Sequence, residues 1–112
     1  MSVAMRLVVA AVFVVASHAA SAERVYVKAR GEVDLAPFRC VSVSRSPNVQ
    51  RICYDESEEY VLVSLKGIWY HFCGVPPATV ASWKKSASKG RYYNDNILGH
   101  YDCSEVHAPS YR

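Results

Sequence analysis

In the middle of the chain apolar residues recur at every second position, the period at which a strand turns one face to a core. Phe38 to Ser44 sets Val41 and Val43 on one side and Cys40, Ser42 and Ser44 on the other. Arg45-Ser46-Pro47-Asn48 is turn material, and Val49 to Tyr54 alternates again. A hairpin closed by that turn puts Ser44 opposite Val49, Cys40 opposite Cys53 and Val41 opposite Ile52. Asp55 to Glu59 reads as an acidic, solvated turn. Tyr60 to Lys66 (YVLVSLK) is a strand, Gly67 breaks it, and Ile68 to Cys73 (IWYHFC) returns as the next.

The period then changes. Gly74-Val75-Pro76-Pro77 stops the sheet and opens a helix, whose first turn accepts proline. Val80, Trp83 and Ala87 recur at i, i+3 and i+7, so the spacing predicts one apolar stripe on a helix over Ala78 to Ala87. Lys84, Lys85 and Lys89 suit the negative end of its dipole, and Gly90 suits its C-cap. The flanks are less regular. Glu23 to Arg39 reads as an extended arm with one short strand around Val25-x-Val27, and Arg91 to Arg112 as an aromatic-rich tail without a period. The fold expected is α+β: a small antiparallel β-meander with one helix packed across it.

The first 22 residues are of another kind. Met1 to Arg6 is a short positive start, Leu7 to Ala16 an apolar run, and Ala20-Ser21-Ala22 a small-x-small cleavage pattern. The run is about half of what a bilayer-spanning helix needs, so residues 1–22 are expected to be a cleaved signal peptide. That leaves 112 − 22 = 90 residues from Glu23 to Arg112, without a transmembrane segment. The protein is then exported, periplasmic or secreted. Segment 23–45 is the arm with the first strand, and 46–112 the main domain with its C-terminal tail.

Export changes what the cysteines do. Cys40, Cys53, Cys73 and Cys103 suit two disulfides in an oxidising compartment, where a small core gains from cross-links. The hairpin register favours Cys40 with Cys53. In a meander Cys53 and Cys73 flank the strand between them, about 10 Å apart and beyond disulfide reach, which leaves Cys73 with Cys103. Without Arg6 there are 12 basic residues against 10 acidic ones, a net +2 that argues for neither nucleic acid nor an anionic membrane. Eight tyrosines suit a small core and a binding surface equally well.

The order of motifs from Ser46 to Tyr101 resembles a KTSC domain, named from the C-terminus of some lysyl-tRNA synthetases. Ile52-Cys53-Tyr54-Asp55 closes a strand, and Tyr70-His71-Phe72 is the aromatic-x-aromatic centre, with Phe72 where the family usually has tyrosine. Gly74-Val75-Pro76, then Ser88-Lys89-Gly90-Arg91-Tyr92-Tyr93-Asn94, then Ile97 with Tyr101 complete the series. The cysteines, Val33-Asp34-Leu35 and Phe38 look like features of an exported branch. The resemblance implies no established activity; RNA binding, proposed for the family from its company with a synthetase, fits poorly with export.

Each chemical candidate has a plainer rival. Tyr70 and Phe72 could stack bases or sugars, but strand parity turns both to the face the helix covers, so they are assigned to the core. Ser88-Lys89-Gly90-Arg91 could catch a phosphate or carboxylate, but it follows a helix C-terminus, and a tight turn bridged by Asn94 is the simpler reading. His71, His100 and His107 show no ligand spacing, and oxidised cysteines cannot ligate or attack, so no metal and no cofactor are expected. No nucleophile elbow, His-Glu-x-x-His or P-loop is present. The expectation is a non-enzymatic exported domain that binds an envelope or extracellular partner through an aromatic–basic strip of Arg91, Tyr92, Tyr93, His100 and Tyr101. A nucleic-acid-binding module is the alternative.

Overall fold

Tyr60 to Leu65 holds five successive residues with almost no exposure, which requires cover on both faces of a strand, and the rest of the fold supplies it. The computed structural model describes residues 23–104 and 106–111; the signal-peptide reading of 1–22 lies outside them. Six strands are described: β1 (Arg24–Val27), β2 (Gly31–Asp34), β3 (Arg39–Ser42), β4 (Val49–Asp55), β5 (Tyr60–Leu65) and β6 (Ile68–Phe72). They form one mixed sheet in the order β2-β1-β6-β5-β4-β3. The fold is α+β.

The last four strands are the expected antiparallel meander. Cys40 pairs with Cys53 and Val41 with Ile52, in the register the turn length dictates. A bulge at Gln50 shifts the β4–β5 register, and its side-chain oxygen accepts from Ser64 Oγ and Gly67 N instead. Lys66 and Gly67, both at positive φ, make the two-residue turn into β6.

The arm departs from expectation. It carries two strands, not one, and the β1–β2 hairpin joins the sheet with β1 parallel to β6, so the sheet is mixed. The reason is the second face of β5, where Tyr60 and Leu62 need cover. Val27 of β1 and Val33 of β2 join them in one cluster with Leu35 and Phe38, although one or two strands intervene, so the sheet curls over this face.

The other face carries the helices. α1 (Pro77–Lys85) buries Val80 and Trp83 against Ile52, Val61, Val63 and Phe72. Here too a correction is needed: the described residues hold two α-helices, not one. α1 stops at Lys85 and leaves Ala87 exposed; α2 (Lys89–Tyr92) follows and runs straight on into a π-helical turn over Tyr93–Ile97. Gly90 therefore lies inside α2 and caps nothing. Ser88 does the work of an N-cap, its hydroxyl accepting from the Arg91 amide at 3.2 Å.

Candidate functional site

Two polar regions stand out, one on each side of the sheet. The first lies where the hairpin, β5, β6 and the C-terminal segment meet. Arg30 Nη1 donates to the Tyr60 hydroxyl at 2.8 Å, which lies 2.7 Å from His71 Nδ1. With its oxygen taken by Arg30, the Tyr60 hydroxyl is free to donate to His71, which sets a neutral imidazole with its proton on Nε2. Burial and the Arg30 charge both hold His71 below the ordinary imidazole range, against a smaller pull from Asp102. The Arg30 guanidinium lies over the rings of Tyr60 and Tyr111, and its Nη2 donates to the Pro109 carbonyl. Tyr111 in turn donates to Asp55 Oδ2 at 2.7 Å, while Ser57 takes the other oxygen. Asp55 is thus buried and partnered, unlike the exposed Glu56–Glu58 turn after it, which corrects the reading of 55–59 as wholly solvated. Every group here has a partner within the molecule. This region is a latch for the C-terminal segment.

The second region is open. A groove of about 640 Å³ runs between the end of β3 with the β3–β4 turn on one side, and the end of α1 with α2 on the other. Its charged lining is Arg45, Lys84, Lys89 and Arg91 against the single carboxylate of Asp95. The two salt bridges among the described residues, Arg24–Glu32 and Arg51–Glu23, involve none of these cations. The Lys89 ammonium donates back to the Ser86 carbonyl, fixing its charge at the groove wall. Ser44, Ser46, Ser88, Asn48 and Asn94 add hydroxyls and amides, and among the described residues no aromatic, histidine or cysteine lines the space. The two walls approach at Gly90, where an added Cβ would stand 3.7 Å from Asn48 Nδ2. The arrangement offers positive charge and hydrogen-bond donors, with no nucleophile–base pair.

The Ser88–Asn94 motif of the resemblance forms part of the helical wall of this groove. A KTSC domain model matches residues 45–101, just over half of the chain. The chain belongs to the KTSC domain family. A crystal structure of the KTSC domain protein YPO2434 from Yersinia pestis is similar in fold, with a TM-score of 0.54 and 24% identity, over 58% of this chain and 92% of that one. None of the curated proteins matches.

Against this KTSC frame the sequence-expected residues fall in different places. Arg91 opens into the groove. Tyr93 is closed off in the core, between Phe72 and Trp83, and so is not a surface group. Tyr92 is half-buried, stacked on Trp83, with its hydroxyl on the Thr79 carbonyl. His100 is exposed beside Tyr101, whose carbonyl accepts from Cys73 N. Phe72 is buried and Tyr70 half-buried against the helix-side cluster, under Lys28. Asn94 lines the groove. Sequence reasoning passes over Arg45 and Lys84: the first sits in turn material, the second is explained by the helix dipole. Their only signal is that four cations fall within ten residues of a turn or helix end.

Proposed function

We propose that this KTSC domain is a non-enzymatic, exported binding module whose binding face is the basic groove. The observation that carries this reading is the concentration of Arg45, Lys84, Lys89 and Arg91, none in a salt bridge among the described residues, around one concave space. A net charge of +3 over the whole chain is unremarkable, so the cations' placement matters more than their number. The disulfides Cys40–Cys53 and Cys73–Cys103 support an oxidising compartment, and no helix among the described residues is long and apolar enough to cross a membrane. The partner is an anionic molecule of the envelope or the extracellular space. Nucleic acid is the weaker reading, because single strands are held by base stacking and no aromatic ring among the described residues lines the groove.

The test is binding to soluble polyanions of different chemistry, polyglutamate and polyphosphate, as a function of salt. Wild-type protein should bind at least one, with affinity falling as salt rises. The triple variant Arg45→Glu, Lys84→Glu, Arg91→Glu should lose that binding while its thermal unfolding stays close to wild type, since all three side chains lie on the surface. Equal binding by the triple variant would place the site elsewhere and sink the proposal.

A further inference from the structure

We propose that the occupant of the groove is an extended acidic segment of a partner protein, added as a seventh strand along the free edge of β3. This rests on the basic groove being the binding face. It adds a backbone mechanism that the charges by themselves do not require.

Among the described residues the sheet ends at β3, with no strand beyond it. Which of its backbone groups face outward follows from two independent observations. The Val43 amide donates to the Gln50 carbonyl at 2.8 Å, so Val43, Val41 and Arg39 are the residues bonded across to β4. Cys40 and Cys53 lie 4.0 Å apart at Cα, the close spacing of a non-hydrogen-bonded pair, which gives the same phase. The N–H and C=O groups of Cys40 and Ser42, and the Ser44 N–H that follows Val43, therefore point away from the sheet. That is an edge about 13 Å long with no neighbouring strand among the described residues.

The same edge is a wall of the groove, since Val41 to Ser44 line it. A segment laid along the edge would turn every second side chain toward Lys84, Lys89 and Arg91 on the helical wall, and its end would pass Arg45. Charge complementarity selects acidic residues at alternate positions. Main-chain hydrogen bonds would supply affinity and the alternate carboxylates specificity, as in strand addition generally. Edge strands are commonly closed by a covering element or an inward-pointing charge. Among the described residues the outward groups of β3 have neither, and Val41 is 36% exposed.

The probe is a ten-residue peptide of alternating Glu and Thr, titrated into the protein with amide shifts and exchange read together. Two further peptides carry N-methyl groups on every Glu or on every Thr. The expected result is slowed exchange at the Ser42 and Ser44 amides, with one N-methylated peptide about tenfold weaker and the other near the parent. On the protein side, Ser42→Pro removes one outward donor at a position where an edge strand tolerates proline, and should weaken the parent peptide. The N-methyl pair keeps the inference testable if that variant fails to fold. Binding that depends on charge but ignores both N-methyl patterns would overturn strand addition and leave the basic groove standing. Binding of polyphosphate without any binding of the acidic peptide would overturn the protein occupant. No binding of any polyanion would overturn both readings.

Discussion

The residue whose environment departs most from its sequence context is His71. On an alternating strand it looks like a surface position, yet it receives the Tyr60 hydroxyl and lies near Arg30. An unfolded chain carries an ordinary imidazole, titrating near 6.5, whereas burial and the Arg30 charge lower the value in the folded protein. As pH falls below about 6.5 the unfolded state therefore takes up its proton first and gains on the native state. The stability His71 contributes is full above that pH and is lost on acidification towards its native value. His71→Gln keeps an acceptor for Tyr60 and removes the titration, so its unfolding free energy should fall less than wild type's between about pH 7 and pH 5. Parallel denaturant melts across that range decide it; identical slopes would mean that His71 protonates as freely in the native protein as in the unfolded one. Asp55 teaches a related lesson. The residues after it are acidic and exposed, and besides the local Ser57 its partner is Tyr111, 56 residues away. No local pattern reveals the Tyr111 contact.

At the scale of elements, local signals serve well where the chain pairs with its neighbour. The β3–β4 hairpin is legible because one alternation, one turn and one cysteine pair agree, and a slip by one residue would turn every side chain to the wrong face. The β1–β2 hairpin is less legible, because its reason is a distant face of β5 rather than its own alternation. α2 is missed for a different reason: Ser88-Lys89-Gly90-Arg91 has the composition of a turn, and glycine is a poor helix former. Its conformation nevertheless needs no glycine, since Gly90 is absent from the residues at positive φ and a Cβ would meet only ordinary van der Waals neighbours. Gly90→Ala should then be neutral or stabilising, by up to about 1 kcal/mol, through the unfolded chain's lost freedom. Denaturant unfolding measures this. Destabilisation by more than about 1 kcal/mol would show that the approach of α2 to Asn48 leaves no room for a methyl group. The basic groove shares α2's fate, because two of its four cations become neighbours of Arg45 only once α2 folds back toward the β3–β4 turn.

Over the whole molecule, most of the described residues outside the KTSC match serve the second face of the sheet. β1, β2, Leu35 and Phe38 precede residue 45, and Ala108 and Tyr111 follow residue 101, yet they cover Tyr60 and Leu62 from within the match. Each disulfide joins one cysteine of the matched span to one outside it: Cys53 to Cys40, and Cys73 to Cys103. The cross-links thus staple an added layer onto the KTSC core, and they differ in what they hold. Cys40 is already placed by the β3–β4 ladder, whereas beyond Tyr101 the C-terminal segment has no strand or helix of its own among the described residues. Its other anchors are the Tyr111–Asp55 and Arg30–Pro109 hydrogen bonds and the packing of Tyr111 against Phe38. Closing 30 residues through Cys73–Cys103 is worth about 3–4 kcal/mol in the chain-entropy model, against about 3 kcal/mol for the 13-residue separation of the hairpin pair. Cys73→Ser with Cys103→Ser should therefore destabilise at least as much as Cys40→Ser with Cys53→Ser, and its first effect should be local. Amide exchange should rise at Asp102, Ser104 and Tyr111, with Tyr60 and Leu62 following as cover is lost, while the helix-side residues Val61 and Val63 stay protected. Exchange that rises evenly across β5 would mean that the two faces of the sheet form one cooperative unit and that the C-terminal segment is no separable layer.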